Sequence, residues 1–137
     1  MCRDFQKSRV YAWEDQVILP RTNVTVTFDR AQMFIDGVWL SLGKIGAPRA
    51  ELISKRIKTA VARGCRPYIE IREATPAWII LHELAHSLTM DHDHNGDGHG
   101  PKFVAAYMQL LDKVLGIPLA LTIYSAQVHG VQFEQPY

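Results

Sequence analysis

Residues 82–86 read HELAH, a spacing that suits a bound divalent metal ion. Histidines four residues apart lie on one face of an α-helix, one turn above the other, so the imidazoles of His82 and His86 can reach the same Zn²⁺. Glu83 is rotated around the helix and can hydrogen-bond a metal-bound water instead of binding the metal. The spacing therefore predicts a zinc-hydrolase motif, and the alternative is two incidental histidines, one of which faces water.

A catalytic zinc site needs a third protein ligand and keeps one position open for water. The segment DHDHNGDGHG, residues 91–100, offers further histidines and acids. His92 has the metzincin spacing, but Thr89 stands where that pattern needs a chain-reversing glycine. His99 follows His86 by thirteen residues, which leaves room for a returning loop, and GPKF fixes it at the start of the next helix. We therefore expect His99 as the third ligand, with His92 or an acid as alternatives.

The same segment also begins like a calcium-binding loop, with the pattern D-x-D-x-N-G from Asp91. An EF-hand loop closes with a bidentate glutamate at its twelfth position. That position holds Lys102 when the count starts at Asp91 and Val104 when it starts at Asp93. The sequence therefore favours turn residues, or groups that orient the histidines, over an independent calcium site.

Composition limits the class of protein. The chain has 137 residues, of which 47% are hydrophobic and 21% are charged, and a formal net charge of +1. These values are typical of one globular domain over residues 1–137, in which we expect residues 1–3 to be mobile. No apolar run reaches the length of a membrane span and no signal-peptide core is visible, so we expect a cytoplasmic protein without a membrane partner. Cys2 and Cys65 are expected to be free thiols.

Basic residues are concentrated between Lys44 and Arg72, a stretch in which only Glu51 and Glu70 are acidic. Such a run favours a solvated basic face. The alternative is a nucleic-acid surface, which would suit a protease that acts near DNA.

Periodicity and turn residues predict the elements of the first half of the chain. We expect an opening helix over residues 4–18, ended before Pro20, and a strand over residues 23–28. A second helix is predicted over residues 29–42, and its first residue, an aspartate, can form a capping box with Gln32. The segment from Ala50 to Ala62 fits either a helix or a strand.

The second half of the chain predicts one strand and three helices. The strand covers residues 67–72 and follows a turn at RGCR. Thr75 is the expected N-cap of a helix over residues 76–90, which carries the HELAH motif. Two more helices are predicted over residues 101–116 and 118–129. This mixture of elements predicts an α+β domain.

HELAH followed by HGPKF resembles the SprT-like metallopeptidases, which include the Spartan proteases of DNA–protein crosslinks. The resemblance implies that His82, His86 and His99 bind zinc and that Glu83 is the catalytic residue. It also implies a zincin-like fold, with a small β-sheet packed on the HEXXH helix, and favours partial strand between Ala50 and Ala62. The opening CRDFQKSRVYAWE, together with the same zinc motif, resembles a family of small uncharacterised metallohydrolases of actinobacteria and their phages. Neither resemblance identifies a substrate.

The sequence thus predicts a zinc-dependent peptidase that hydrolyses amide bonds in peptides or proteins. Zn²⁺ would lower the pKa of its water to about 7, and Glu83 would accept the proton and pass it to the leaving amine. The alternative is a zinc-stabilised binding module without catalysis, which could associate with nucleic acid and would not need Glu83. Four side chains are candidates for stabilising the oxyanion, namely Tyr107, Tyr124, His94 and His129.

Overall fold

A computed structural model describes residues 4–58, 62–64, 67–90 and 96–136. Several sequence predictions fall outside these ranges: they concern residues 1–3, Cys2, Cys65, the alternative ligand His92, the candidate donor His94 and residues 91–95 of the calcium-like segment.

Helices carry most of the described residues. The first helix, α1, spans Lys7–Trp13 and continues as a π-helical segment, Glu14–Ile18, and a 3-10 turn, Leu19–Arg21, which contains Pro20. The other helices are α2 (Phe28–Ser41), α3 (Ala77–Thr89), α4 (Pro101–Leu115) and α5 (Leu119–Val128). The four later helices are confirmed, with small shifts at their ends. The first prediction is confirmed only in part: its α-helix is limited to Lys7–Trp13, and the helical path does not end before Pro20 but runs through it in 3-10 form. In the described ranges, no helix has the length and apolar character needed to cross a membrane.

The strands are short and form two sheets. Strand β1 (Thr25–Thr27) pairs antiparallel with β5 (Ala74–Pro76). In the second sheet, β4 (Tyr68–Ile71) pairs in parallel with β2 (Arg49–Leu52) and antiparallel with β3 (Arg63–Gly64). The ambiguous segment therefore begins as a strand, and its residues 53–58 are neither helix nor strand. The fold is α+β, as predicted.

Two predicted helix caps are wrong. Thr75 lies in β5, where its hydroxyl accepts a hydrogen bond from the backbone N–H of Arg72 at 3.2 Å, and α3 begins without a side-chain cap. Gln32 does not cap α2 either, because its side-chain oxygen accepts a hydrogen bond from the backbone N–H of Ala50 at 2.7 Å. In both cases the polar side chain bonds a neighbouring segment of the fold. Such partners compete with the free amides at a helix start.

The helix with the HELAH motif lies in the middle of the hydrophobic core. It is apolar around most of its circumference, which is typical of a helix that other elements cover on several sides. The side chains of α3 and α4 that are fully buried are Ala77, Ile80, Leu81, Leu84, Ala85, Phe103, Val104, Tyr107, Met108, Leu110 and Leu111. Each large apolar side chain contributes about 1.5–3 kcal/mol on burial. The histidines of α3 are therefore carried by a firmly packed element.

The start of α4 is fixed by Asp97 and Gly100. The carboxylate of Asp97 accepts hydrogen bonds from the backbone N–H groups of Lys102 at 2.7 Å and Phe103 at 3.3 Å, which lack partners within the helix. A Cβ atom at Gly100 would lie 2.7 Å from Oδ2 of Asp97 and 2.8 Å from its carbonyl oxygen. Asp97 thus acts as a turn residue, as interpreted from the sequence, and His99 is held inside this turn.

Replacing Gly100 should show how tightly this turn is packed. We expect Gly100→Ala to lower the free energy of unfolding by about 1–3 kcal/mol, because the added methyl group has no room beside Asp97. Gly37→Ala is the matched control: a Cβ there meets no atom within 4 Å. Since Gly37 lies inside α2, this change should stabilise by about 0.5–1 kcal/mol. Urea denaturation measures both, and equal effects would contradict the proposed crowding.

Candidate metal centre

The structure brings the three predicted histidines into one cluster. His82 and His86 project from successive turns of α3, and His99 stands directly before Gly100, the residue that caps α4. The Nε2 atom of His99 lies 3.1 Å from Nε2 of His82 and 3.3 Å from Nε2 of His86. A tetrahedral Zn²⁺ with bonds of about 2.0–2.1 Å would separate its nitrogen ligands by about 3.3 Å. The cluster can therefore hold a metal ion.

The ring of Phe103 forms the floor of the cluster. It stacks on His86 with 4.3 Å between ring centroids and meets His82 and His99 edge-on at 4.9 Å and 5.0 Å. Phe103 is fully buried at the first turn of α4. Aromatic contacts of this kind favour particular ring orientations. The packing of α4 on α3 therefore helps to aim all three imidazoles.

A buried carboxylate orients His82. Oε2 of Glu14, at the start of the π-helical segment, lies 2.7 Å from Nδ1 of His82 and accepts a hydrogen bond from the hydroxyl of Tyr107 at 2.8 Å. The residue is only 4% exposed. Because an ionised carboxylate can only accept, Nδ1 of His82 carries the proton and Nε2 faces the other histidines as a potential ligand.

A second carboxylate orients His99 in the same way. Oδ2 of Asp4 lies 2.7 Å from Nδ1 of His99, and Oδ1 accepts a hydrogen bond from its backbone N–H at 3.3 Å. Gly98 permits this approach, because its φ is +63° and a Cβ there would lie 3.0 Å from Cγ of Asp4. The buried side chain of Gln6 adds a hydrogen bond to the carbonyl oxygen of His99 at 2.8 Å. The N-terminal segment therefore fixes both the ring and the backbone of His99.

These hydrogen bonds leave lone pairs facing each other. With both Nδ1 atoms protonated, the Nε2 atoms of neutral His82 and His99 are unprotonated and stand 3.1 Å apart. Two such atoms repel each other unless a proton or a metal ion lies between them. The arrangement therefore calls for a cation at the point where the nitrogens converge.

The titration of the cluster indicates where a proton would go in the absence of metal. Burial disfavours the charged form of His82, but the hydrogen bond and charge of Glu14, together with the charge of Glu83, outweigh this effect and raise the pKa of His82. Burial lowers the pKa of His86 to about 2, and the charges of His82 and His99 act in the same direction. Burial also lowers the pKa of His99. A proton and a metal ion would thus compete at His82.

Glu83 lies beside this cluster and is only 8% exposed. Its carboxylate forms no hydrogen bond within the described part of the chain. Burial raises the pKa of Glu83, the charge of His82 lowers it and the charge of Glu14 raises it, and the net direction is upward. A buried carboxylate with a raised pKa and no structural partner is typical of a group that transfers protons.

Tyr11, for which the sequence analysis predicts no role, lies at the edge of the cluster. Its ring meets His99 edge-on with 5.1 Å between centroids and lies 6.1 Å from His82. The residue is 45% exposed. Burial, followed by the charges of nearby carboxylates, chiefly that of Glu14, raises the pKa of its phenol. The hydroxyl therefore stays protonated around neutral pH.

The side chains expected to stabilise an oxyanion are placed less favourably. Tyr107 is fully buried, and its hydroxyl already donates a hydrogen bond to Glu14. Tyr124 is 69% exposed on α5, and both ring nitrogens of His129 are within hydrogen-bond distance of α5 and of the π-helical segment. His94 lies outside the described residues.

The sequence interpretation missed Asp4, Glu14 and Tyr11. Glu14 did leave a signal, because it continues the spacing of the buried residues Val10 and Trp13 and so puts a carboxylate into an apolar helix face. No sequence pattern points to Asp4, since its partner His99 is 95 residues away.

The basic segment is partly neutralised within its own sheet. Arg49 pairs with Glu51 at 3.3 Å and Arg63 with Glu70 at 2.8 Å, both on the surface. After β2, the side chains of Lys55, Arg56 and Lys58 are exposed. This distribution agrees with a solvated basic face, and a nucleic-acid partner stays a prediction.

Comparisons with protein-family models, with curated proteins and with solved structures gave no match. The resemblance to SprT-like metallopeptidases therefore stays a prediction that rests on residues 82–86 and 99–103.

The role of Glu14 can be tested by removing its charge. We expect Glu14→Gln to weaken zinc binding by about 10–100-fold, the usual cost of losing a partner that orients a ligand. Asp15→Asn is the matched control, because Asp15 is the next residue of the π-helical segment and is exposed. Competition with a chromophoric chelator gives both affinities. Equal zinc affinity in the two variants would show that Glu14 does not orient the ligand.

Acidification should release the metal, and we expect one proton to be taken up for each metal ion released. The raised pKa of His82 means that, below this pKa, a proton must leave before metal binds, whereas well above it no proton competes. We therefore expect zinc affinity to be level at higher pH and to fall by about tenfold per pH unit below the pKa of His82. Zinc titrations across this range, corrected for the protonation of the chelator, measure the slope. A slope of two protons would contradict the assignment to His82 alone.

Proposed function

We propose that this protein is a zinc-dependent peptidase, in which His82, His86 and His99 hold the metal and Glu83 is the general base. The observation that carries the proposal is the convergence of the three histidines beside Glu83, whose carboxylate forms no hydrogen bond to another described residue. Imidazole nitrogen suits zinc and other transition metals, whereas calcium and magnesium prefer oxygen ligands. The resemblance of HELAH and HGPKF to SprT-like metallopeptidases supports the same class.

Three histidine ligands are typical of a catalytic zinc site. A structural zinc is usually enclosed by four protein ligands, whereas a catalytic zinc has three and an open position. Within the described residues, the cluster consists of three histidines. A binding module would also have no need of an acidic side chain directly after the first histidine of α3. The presence of Glu83 therefore favours the enzyme.

The chain's own residues suit the hydrolysis of an amide. Zn²⁺, when bound, supplies Lewis acidity that activates water and polarises a carbonyl group. Glu83 accepts a proton from the water whose oxygen attacks the carbonyl carbon. It then returns this proton to the amine nitrogen as the C–N bond breaks, so that the products are a carboxylic acid and an amine. The raised pKa of Glu83 brings it closer to neutrality, where such a transfer is efficient.

Replacing Glu83 tests this proposal. Glu83→Gln keeps the size of the side chain but cannot accept the proton, so zinc content should be unchanged and peptide hydrolysis should fall by about 10²–10⁴-fold. Glu73→Gln, at an exposed position before α3, is the matched control and should behave as the native protein. Hydrolysis of casein and of a fluorogenic peptide library gives the rates, and elemental analysis gives the zinc content.

The outcomes separate the possible errors. Full activity of Glu83→Gln with zinc bound would exclude Glu83 as the base. Loss of zinc from this variant would make Glu83 a ligand or a structural support. A zinc-loaded native protein that cleaves none of the peptides would favour the binding module instead.

A further inference from the structure

Hydrolysis of an amide places negative charge on the carbonyl oxygen, and a hydrogen-bond donor aimed at this oxygen accelerates the reaction. Such a donor must lie beside the metal cluster, be open to substrate, hold its proton and have no partner in the folded chain. Tyr107 fails because its hydroxyl donates a hydrogen bond to Glu14. His129, directly after α5, fails because both its ring nitrogens have partners, and the ring of Tyr124 forms no contact with the described histidines.

Tyr11 meets the conditions of place and access. Its ring is edge-on to His99 at 5.1 Å, on α1, while Phe103 contacts the same imidazole from α4. Nearly half of the residue is exposed, so a substrate bound at the cluster can reach it. Its hydroxyl forms no hydrogen bond within the described part of the chain. Within the described residues, a phenol hydroxyl without a hydrogen-bond partner is therefore carried by a ring that contacts a potential ligand.

The helix that carries Tyr11 is attached to the cluster on both sides of this residue. Asp4 and Gln6 bond His99 before it in the sequence, and Glu14 bonds His82 after it. Tyr11 is thus held between two attachments to the same set of imidazoles. A donor that is already positioned does not need to reorganise as charge develops, which makes its hydrogen bond more effective.

We propose that Tyr11 donates a hydrogen bond from its phenol to the carbonyl oxygen of the substrate as that oxygen becomes negative. This role rests on the proposed peptidase function and adds a second catalytic residue to it. The phenol keeps its proton throughout, because Glu83 carries the proton from water to the leaving amine. Tyr11 therefore changes the rate of hydrolysis and leaves its stoichiometry unaffected.

A small hydroxamic acid can test this inference without a known substrate. Acetohydroxamate presents a carbonyl oxygen to a metal with an open position, and cobalt(II) in place of zinc makes its binding visible in the absorption spectrum. We expect Tyr11→Phe to bind cobalt as the native protein does, because the ring and its contact with His99 are kept. Its affinity for acetohydroxamate should be about 10–100-fold lower, the effect of losing one hydrogen bond to a charged group.

Tyr124→Phe is the matched control, since it removes an exposed phenol on α5, and it should bind acetohydroxamate as tightly as the native protein. On any peptide that the native protein cleaves, Tyr11→Phe should lower kcat more than it changes KM, because the hydrogen bond strengthens only as charge develops. A merely structural role would instead reduce metal binding.

Each other result overturns the inference in a different way. Equal acetohydroxamate affinity in Tyr11→Phe and the native protein would remove Tyr11 from the reaction while leaving the peptidase proposal intact. Loss of cobalt from Tyr11→Phe would make the residue structural. Failure of the cobalt-loaded native protein to bind acetohydroxamate would mean that no open position exists for Tyr11 to serve. Failure of the native protein to bind cobalt or zinc would instead contradict the proposed function itself.

Discussion

The hydrogen bond between Glu14 and His82 is the interaction on which the arrangement around the cluster depends. A carboxylate that is only 4% exposed is costly to bury unless it is hydrogen-bonded. Here one oxygen receives donors from α3 and α4, through His82 and Tyr107, while the carboxylate itself comes from the π-helical segment. Three helical elements must therefore dock correctly before the buried charge is satisfied. The docking that packs these helices in the core therefore also orients His82 as a potential metal ligand.

The parts of the site that the sequence predicts are those governed by local geometry. The spacing of His82 and His86 follows from the pitch of one helix, and Pro101 and Gly100 define the start of α4 and hence the position of His99. The histidine cluster and the α+β class could be predicted on this basis. Asp4 and Glu14 could not, because they lie 95 and 68 residues from their histidine partners. Their contacts depend on how α1 docks, which no local pattern encodes.

The same distinction explains the elements that were predicted incorrectly. Apolar periodicity located the helices, since burying one face is the main source of helix stability in a folded chain. The polar cap positions were less reliable, because Thr75 and Gln32 can bond any amide or carbonyl that the fold brings near them. Their actual partners are Arg72, in the connection between β4 and β5, and Ala50, in β2. A polar side chain with several possible partners therefore carries less information about its own helix than an apolar stripe does.

The charges around the cluster link it to the rest of the chain. Asp4, Glu14 and Glu83 bring three acidic side chains to the three histidines, so the charge of a divalent cation would be offset by its surroundings. Binding to the folded state alone would stabilise that state, and the carboxylates before and after α1 would transmit this gain to the N-terminal segment. Gln6 extends the connection, because it bonds the backbone of both His99 and Gln132. The two terminal segments of the described chain thus meet at the candidate metal centre, and its occupancy would affect how firmly both are held.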